Sequence, residues 1–375
     1  MVRPPAALRP LYDEFVPVRV TDMRGVDLER YRFDTDLTLA VLWMNADGTV
    51  YHRYGARDHR GAEQWLSLTS LEAAMRASLA AHRRYEPGDV DPAHEPPAPR
   101  KLEDSPSFAK RDKGACIHCH SVLPAGYEDA RAAGTWLESD RWRFPDPARL
   151  GIDLGTDDQQ LVTAVRAESI AAATGLRVGD RLVELAGTEL TTVADLMFAL
   201  DGLPAEGGEV TVGVRRPEGD WTGTPLELRD FGMVTTLTLT LPDGWKTAPP
   251  LEFSWRPFKW GFTPAPGFGG PPLSTVELEA AGLSTADAPG AFAFRVQYLV
   301  TWGDNRRFGQ AAAKAGLRVG DVVVAVTGRE GVPAELTSVD HFHAWWRLTR
   351  EVGETVTLGI LRDAGRLELE LEVIE

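Results

Sequence analysis

Cys116-Ile117-His118-Cys119-His120 gathers both cysteines of a 375-residue chain, and two of its eight histidines, into five positions. Those residue types at that spacing support three chemistries. Two thiols three residues apart with a histidine directly after them are the minimal arrangement for covalent haem c. The thiols of Cys116 and Cys119 add to the vinyl groups, and the ring of His120 is carried under the iron. The same pair could work as a redox dithiol, with His118 ahead of the second cysteine favouring the thiolate. Cys116, His118 and Cys119 could instead hold a transition metal, but neighbouring residues cannot wrap a tetrahedral ion without ligands from elsewhere. The plainest reading binds no cofactor: inert thiols, or a disulfide closing too short a loop to constrain the chain much.

The surroundings bear unequally on these readings. The stretch "SPSFAKRDKGACIHCHSV" resembles the opening helix and attachment site of small bacterial cytochromes c. No segment long enough for a whole cytochrome follows, and no distal ligand is evident. Met197 and Met233, and the pairs His52/His59 and His341/His343, all fall in other modules. A dithiol motif normally follows a buried strand, whereas here polar "KRDKG" precedes it.

The elements around this segment divide the chain. Residues 5–15 read as the end of a helix and "FVPVRVTD" as a strand. "LTLAVLWMNADGTVYHRYG" reads as a hairpin, and "AEQWLSLTSLEAAMRASLAAHRRY" carries helical spacing. This order resembles the later part of a thioredoxin fold without its first strand and redox motif, over residues 1–85. Residues 86–104 are rich in proline and charge and read as a linker, with the Cys-x-x-Cys-His segment at 105–147.

An internal repeat follows. "SIAAATGLRVGDRLVELAG" at 169–187 matches "QAAAKAGLRVGDVVVAVTG" at 310–328 in ten of nineteen positions. Gly175 and Gly316 sit where a helix would end, and Gly179 and Gly320 where a turn needs positive φ. The pattern resembles bacterial-type PDZ domains, which implies one such domain at 148–245 and a second at 290–375. In the first, backbone groups at Leu150, Gly151 and Ile152 are expected to take a peptide carboxylate, with 192–203 as the groove helix. The carboxylate loop of the second copy is not evident. Residues 246–289, rich in Trp, Pro and Gly, read as a connector in which Trp255 and Trp260 are expected as buried anchors, with the lining of a binding surface as the alternative. The fold class expected is therefore α+β and multidomain: an incomplete thioredoxin-like domain followed by two PDZ-like domains.

A net charge of −15 argues against nucleic acid as partner, and no apolar run is long enough to span a membrane. No serine nucleophile segment accompanies the PDZ pattern, so proteolysis is not expected. The stretches "VRVTDMRGVDLERYRFDTDLT", "MNADGTVYHRYGARD", "GACIHCHSV", "FSWRP" and "GLRVGDVVVAV" resemble a bacterial family of thioredoxin-like/PDZ proteins, some of them thought to be selenoproteins. That resemblance implies a natural start upstream, with a signal, a first strand and a redox helix. The protein would then be periplasmic or otherwise extracytoplasmic; with Met1 as the true start it would be cytoplasmic. The function expected is a redox-associated adaptor that binds peptide or protein C-termini and meets a redox partner. A non-redox scaffold and a thiol-disulfide oxidoreductase are the alternatives.

Overall fold

The computed structural model describes residues 5–58, 63–86, 98–109, 117–137, 140, 142–217, 231–246, 264–283, 292–303, 305–328, 331, 334, 336, 339–363 and 365–375. The chain divides into two compact units, Met1–Ala248 and Pro249–Glu375.

In the first unit the expected hairpin forms, β1 (Val41–Met44) pairing antiparallel with β2 (Val50–Tyr54). Its turn closes through the Gly48 N–H to the Asn45 carbonyl, and Gly48 takes a φ of 91° that suits glycine. Helix α1 (Leu68–Arg84) starts at Ser67, whose side chain accepts the Ser70 N–H at 3.0 Å. Leu71, Ala74 and Met75 recur at helical spacing and pack on Trp43 and Tyr54 of the hairpin.

The strand expected at "FVPVRVTD" does not form. Residues 16–22 join no ladder among the described residues, and Val16 and Val18 are 90% and 83% exposed. Alternating valines favour extended backbone, but a strand needs a partner edge to hold it. The helix read at 5–15 is likewise only a turn of 3-10 helix and four α-helical residues, Arg9–Tyr12. The described part of 1–85 is thus a hairpin on a helix, short of a thioredoxin sheet. Helix α2 (Val122–Ala133) follows the Cys-His segment. Ile117, Val122 and Ala125 share a core with Met23, Leu28 and Leu102, so this part of the 105–147 segment packs on the N-terminal region rather than standing apart.

The first repeat runs β3 (Ile152–Leu154), β4 (Val162–Val165), α3 (Ile170–Thr174), β5 (Arg181–Leu185), β6 (Thr188–Glu189), α4 (Val193–Gly202), β7 (Gly208–Pro217) and β8 (Phe231–Leu241). β3 pairs with β4, and a four-stranded antiparallel sheet has the order β6-β5-β7-β8. Val193, Leu196 and Leu200 of α4 close the core over Val162, Leu182, Leu185, Val212 and Val214.

The second unit repeats this plan with β9 (Phe268–Gly269), α5 (Thr275–Ala280), β10 (Phe294–Arg295), β11 (Tyr298–Leu299), α6 (Arg306–Lys314), β12 (Val322–Thr327), α7 (Val339–Thr349), β13 (Thr355–Arg362) and β14 (Gly365–Glu372). The sheet order is β10-β12-β13-β14, with β9 paired to β11. Phe268, Phe294, Phe342 and Trp346 fill the middle of its core. All four repeat glycines behave as their positions demanded, with φ of 83° and 96° at Gly175 and Gly316 and 95° and 100° at Gly179 and Gly320. One boundary moves. β9 comes from the stretch read as connector, so the second repeat begins ahead of residue 290. Trp255 and Trp260 lie outside the described residues.

Candidate functional site

The two repeats share one scaffold turn. Asp180 accepts the Arg177 N–H at 3.0 Å, and Arg216 reaches it with Nε at 3.0 Å while its Nη2 donates to the Gly175 carbonyl. In the second unit Asp321 accepts the Arg318 N–H at 2.8 Å, and Arg362 donates to both its carboxylate oxygens at 2.8 Å and to the Gly316 carbonyl. A bidentate, charge-assisted clamp on a nearly buried aspartate fixes the Gly-Leu-Arg-Val-Gly-Asp turn twice.

Register then locates what the sequence did not show. The Val162 N–H donates to the Asp180 carbonyl, and the Val296 N–H to the Asp321 carbonyl, both at 2.8 Å, so Val162 and Val296 are equivalent. Counting along those strands, Ile152 opposite Val165 corresponds to Phe268 opposite Leu299. The neighbouring bonds agree: the Arg166 N–H donates to the Gly151 carbonyl and the Val300 N–H to the Gly267 carbonyl, again both at 2.8 Å. Gly151 and Gly267 also share positive φ, 86° and 77°. The position in the second repeat equivalent to Leu150-Gly151-Ile152 is therefore Pro266-Gly267-Phe268.

The two loops differ in what their backbone has left to offer. In the first, Asp146 caps a short 3-10 turn, Pro147–Arg149, and the N–H groups of Leu150 and Gly151 donate to Pro147 and Ala148 carbonyls at 2.9 and 3.0 Å. Two of the three groups expected to take a carboxylate are thus already spent. In the second, Pro266 has no N–H, and among the described residues no acceptor meets the N–H of Gly267 or Phe268. Phe268 and Leu299 are a non-hydrogen-bonded pair, so the Phe268 N–H points away from β11.

Over the first repeat, the groove helix α4 is covered along its length. Arg53 of β2 donates its N–H to Asp195 at 2.7 Å and accepts the Thr192 hydroxyl at 2.5 Å. The same carboxylate accepts from Thr192 N–H and lies 3.2 Å from His52 Nδ1, with all these groups buried. The Arg53 guanidinium stacks 3.4 Å over Phe198, and burial pushes its pKa down to about 10, which leaves it charged near neutrality. Gly55 and Ala56 line, together with Ala194, Met197 and Phe144, a cavity of about 10 Å³. At the far end Asp201 receives Arg32 at 2.7 Å, Arg143 twice at 2.8 Å and the Phe144 N–H at 2.9 Å. Burial opposes its charge, but Arg143 outweighs that and holds the carboxyl well below the usual range.

In the second repeat α7 presents His343 toward Gly269. A Cβ there would stand 2.6 Å from the Tyr298 hydroxyl and 3.2 Å from His343 Nε2, so a larger residue would have to push these two side chains aside. Burial, with a smaller push from Arg347, drops the His343 pKa to about 3, so the ring is neutral; its Nδ1 has no partner among the described residues.

Of the cysteine cluster, Cys116 lies outside the described residues. Ile117 is buried and anchored by its carbonyl accepting the Met23 N–H, while His118 is exposed. The Cys119 thiol is half-buried, and burial followed by the charges of Asp36 and Asp34 raises its pKa. His120 is 54% exposed, with Nδ1 3.1 Å from Asp36 Oδ1, which leaves Nε2 as its second ring nitrogen. Among the described residues no three His, Cys, Asp or Glu side chains are grouped to hold a metal, and no helix is long and apolar enough to cross a membrane. Asp34 and Asp36 carry no motif; only folding brings them beside Cys119.

Comparison with known proteins bears on part of the chain. The family profile described as PDZ domain matches residues 161–216, covering β4 to β7, so the chain contains a PDZ domain. A search of curated protein sequences gives no match. A solved structure of an HtrA-type protease with decapeptide is similar at 15% identity, over 44% of this chain and 54% of that one, with a TM-score of 0.24. The chain thus spans about half of that protein's length.

Proposed function

We propose that the protein is an adaptor that captures the C-terminal end of a peptide or protein by strand addition at the second repeat. One observation carries this reading. The Gly267-Phe268 loop holds the register of the Gly151-Ile152 loop, yet its Gly267 N–H meets no acceptor among the described residues whereas the matching Gly151 N–H is spent on the Ala148 carbonyl. A carboxylate would accept from Gly267 and Phe268, and the peptide would extend antiparallel to β9 beside α7. The test is titration of the full chain with a pool of synthetic hexapeptides in free-acid and C-terminally amidated forms. Binding to the free acids with at least about a tenfold loss on amidation is expected, since charge-assisted bonds are worth about 1.5–3 kcal/mol. Equal binding of both forms, or binding that survives Gly267→Ala, would overturn it; a Cβ at residue 267 would meet the Phe308 backbone at 2.2 Å.

A second reading adds covalent haem at Cys116 and Cys119, with His120 on the iron and a redox partner at the docked end. The His120–Asp36 pair supports it, because a ligating histidine commonly gives its other ring nitrogen to a carboxylate. Haem attachment would make the protein extracytoplasmic. Its test is the intact mass and reduced visible spectrum of the chain exported with a haem-maturation system, compared with Cys119→Ala. A bare mass and a colourless protein would remove this reading.

A further inference from the structure

We propose that the first repeat is not a receptor for external peptides: its groove is a permanent seat for the chain's own N-terminal module. Peptide capture is then left to the second repeat, and in that respect the inference rests on the reading above.

Three successive turns of α4 carry it. At the first turn the capping box of Thr192 and Asp195, which ordinarily satisfies only the helix's own N–H groups, also binds the backbone of Arg53 on both sides, through its N–H and its carbonyl. At the second, Gly55 and Ala56 share with Ala194 and Met197 the lining of a cavity of about 10 Å³, room for at most a single water. At the third, Arg32 of the N-terminal module and Arg143 converge on Asp201.

The other wall of the groove is tied down as well. Gln159, between β3 and β4, donates to the Trp65 carbonyl at 2.8 Å and to Ser70 Oγ at 3.2 Å, and accepts the Val193 N–H at 2.9 Å. One side chain thus joins the strand wall, the groove helix and the N-terminal module. Gly55 shows how closely the entering segment is guided: a Cβ there would lie 1.9 Å from the Leu39 carbonyl, and its φ is 99°.

An external strand would have to displace this whole set. Lifting the module off α4 leaves Asp195 without the Arg53 N–H and Asp201 without Arg32, and a buried carboxylate stripped of partners is costly. The incoming carboxylate would also find the N–H groups of Leu150 and Gly151 occupied. The competition is intramolecular, so the seated segment keeps its high effective concentration.

Hydrogen exchange on the full chain tests this with and without peptide. Without peptide, the amides of Arg53 and Tyr54 are expected to exchange within about tenfold of those of Leu196 to Leu200, as one cooperative unit. Exchange more than about a hundredfold faster would show the module leaving the helix by itself and would overturn the proposal. With the free-acid hexapeptide pool, no new protection is expected at Ile152–Leu154. Protection there, with loss of protection at Arg53–Ala56, would overturn it equally. Asp195→Ala is expected to speed Arg53 exchange by at least tenfold and to let the pool protect Ile152–Leu154. Should that variant unfold the unit, Ala56→Arg reads the same displacement. If the pool protects neither repeat in the native chain, the capture reading fails, while the peptide-free comparison still decides the seat.

Discussion

The backbone N–H of Arg53 donates to the carboxylate of Asp195 at 2.7 Å, joining residues 142 positions apart in the sequence. That bond fastens a hairpin strand to the cap of a groove helix. The same carboxylate also accepts the N–H groups of Thr191 and Thr192 and lies against His52 Nδ1.

Asp195→Ala strands several buried donors at once, so the expected cost to the first unit is about 2–4 kcal/mol. Urea denaturation followed by hydrogen exchange reads it. A loss below about 0.5 kcal/mol would mean that Arg53 and His52 find other partners.

The clamps on the two hallmark turns predict unit-specific effects. Asp180→Ala and Asp321→Ala each remove a nearly buried carboxylate that holds an arginine and a turn N–H. Each is expected to destabilise its own unit by about 2–3 kcal/mol. Exchange measured separately over β5 and β12 distinguishes them: Asp180→Ala speeds the former and Asp321→Ala the latter.

Acid affects the units over different pH ranges. His343 stays neutral in the folded second unit to about pH 3, whereas in the unfolded chain it takes a proton below about pH 6.5. Unfolding then binds the extra proton, so stability is lost as pH falls from about 6.5 toward 3, by at most about 1.4 kcal/mol per pH unit. His343→Phe is expected to flatten that slope. Asp201, whose folded pKa is depressed, gives stability that is full above about pH 4 and is lost only as pH falls below that. Urea midpoints of each unit at pH 7, 5 and 3.5, read by exchange, check both.

Cys119 is expected to react slowly. Burial and the charges of Asp36 and Asp34 disfavour its thiolate. In the single-thiol variant Cys116→Ser, iodoacetamide at pH 8 should modify Cys119 about tenfold more slowly than free cysteine. Asp36→Asn should recover part of the rate. A rate above that of free cysteine would favour the dithiol chemistry of this segment.

Local signals were enough for the elements that carry their own period or punctuation. The hairpin at Asn45–Gly48, the α1 spacing, the four repeat glycines and the helix read at 192–203 stand where residue types placed them, because a positive φ or an apolar stripe is a property of a few adjacent residues. The duplicated Gly-Leu-Arg-Val-Gly-Asp turn announced two copies of one module for the same reason. Long-range pairing decided the rest. Alternation at Val16, Val18 and Val20 suggested a strand, but no edge came to meet it. The Gly267 loop was hidden because the stretch holding α5 separates it from β10, and only strand register recovers the equivalence. What packs on α4 depended on Arg53, Ala56, Trp65 and Gln159, whose types say nothing about that helix. Burial of charge and backbone across more than a hundred residues is a property of the fold, and only the folded chain shows it.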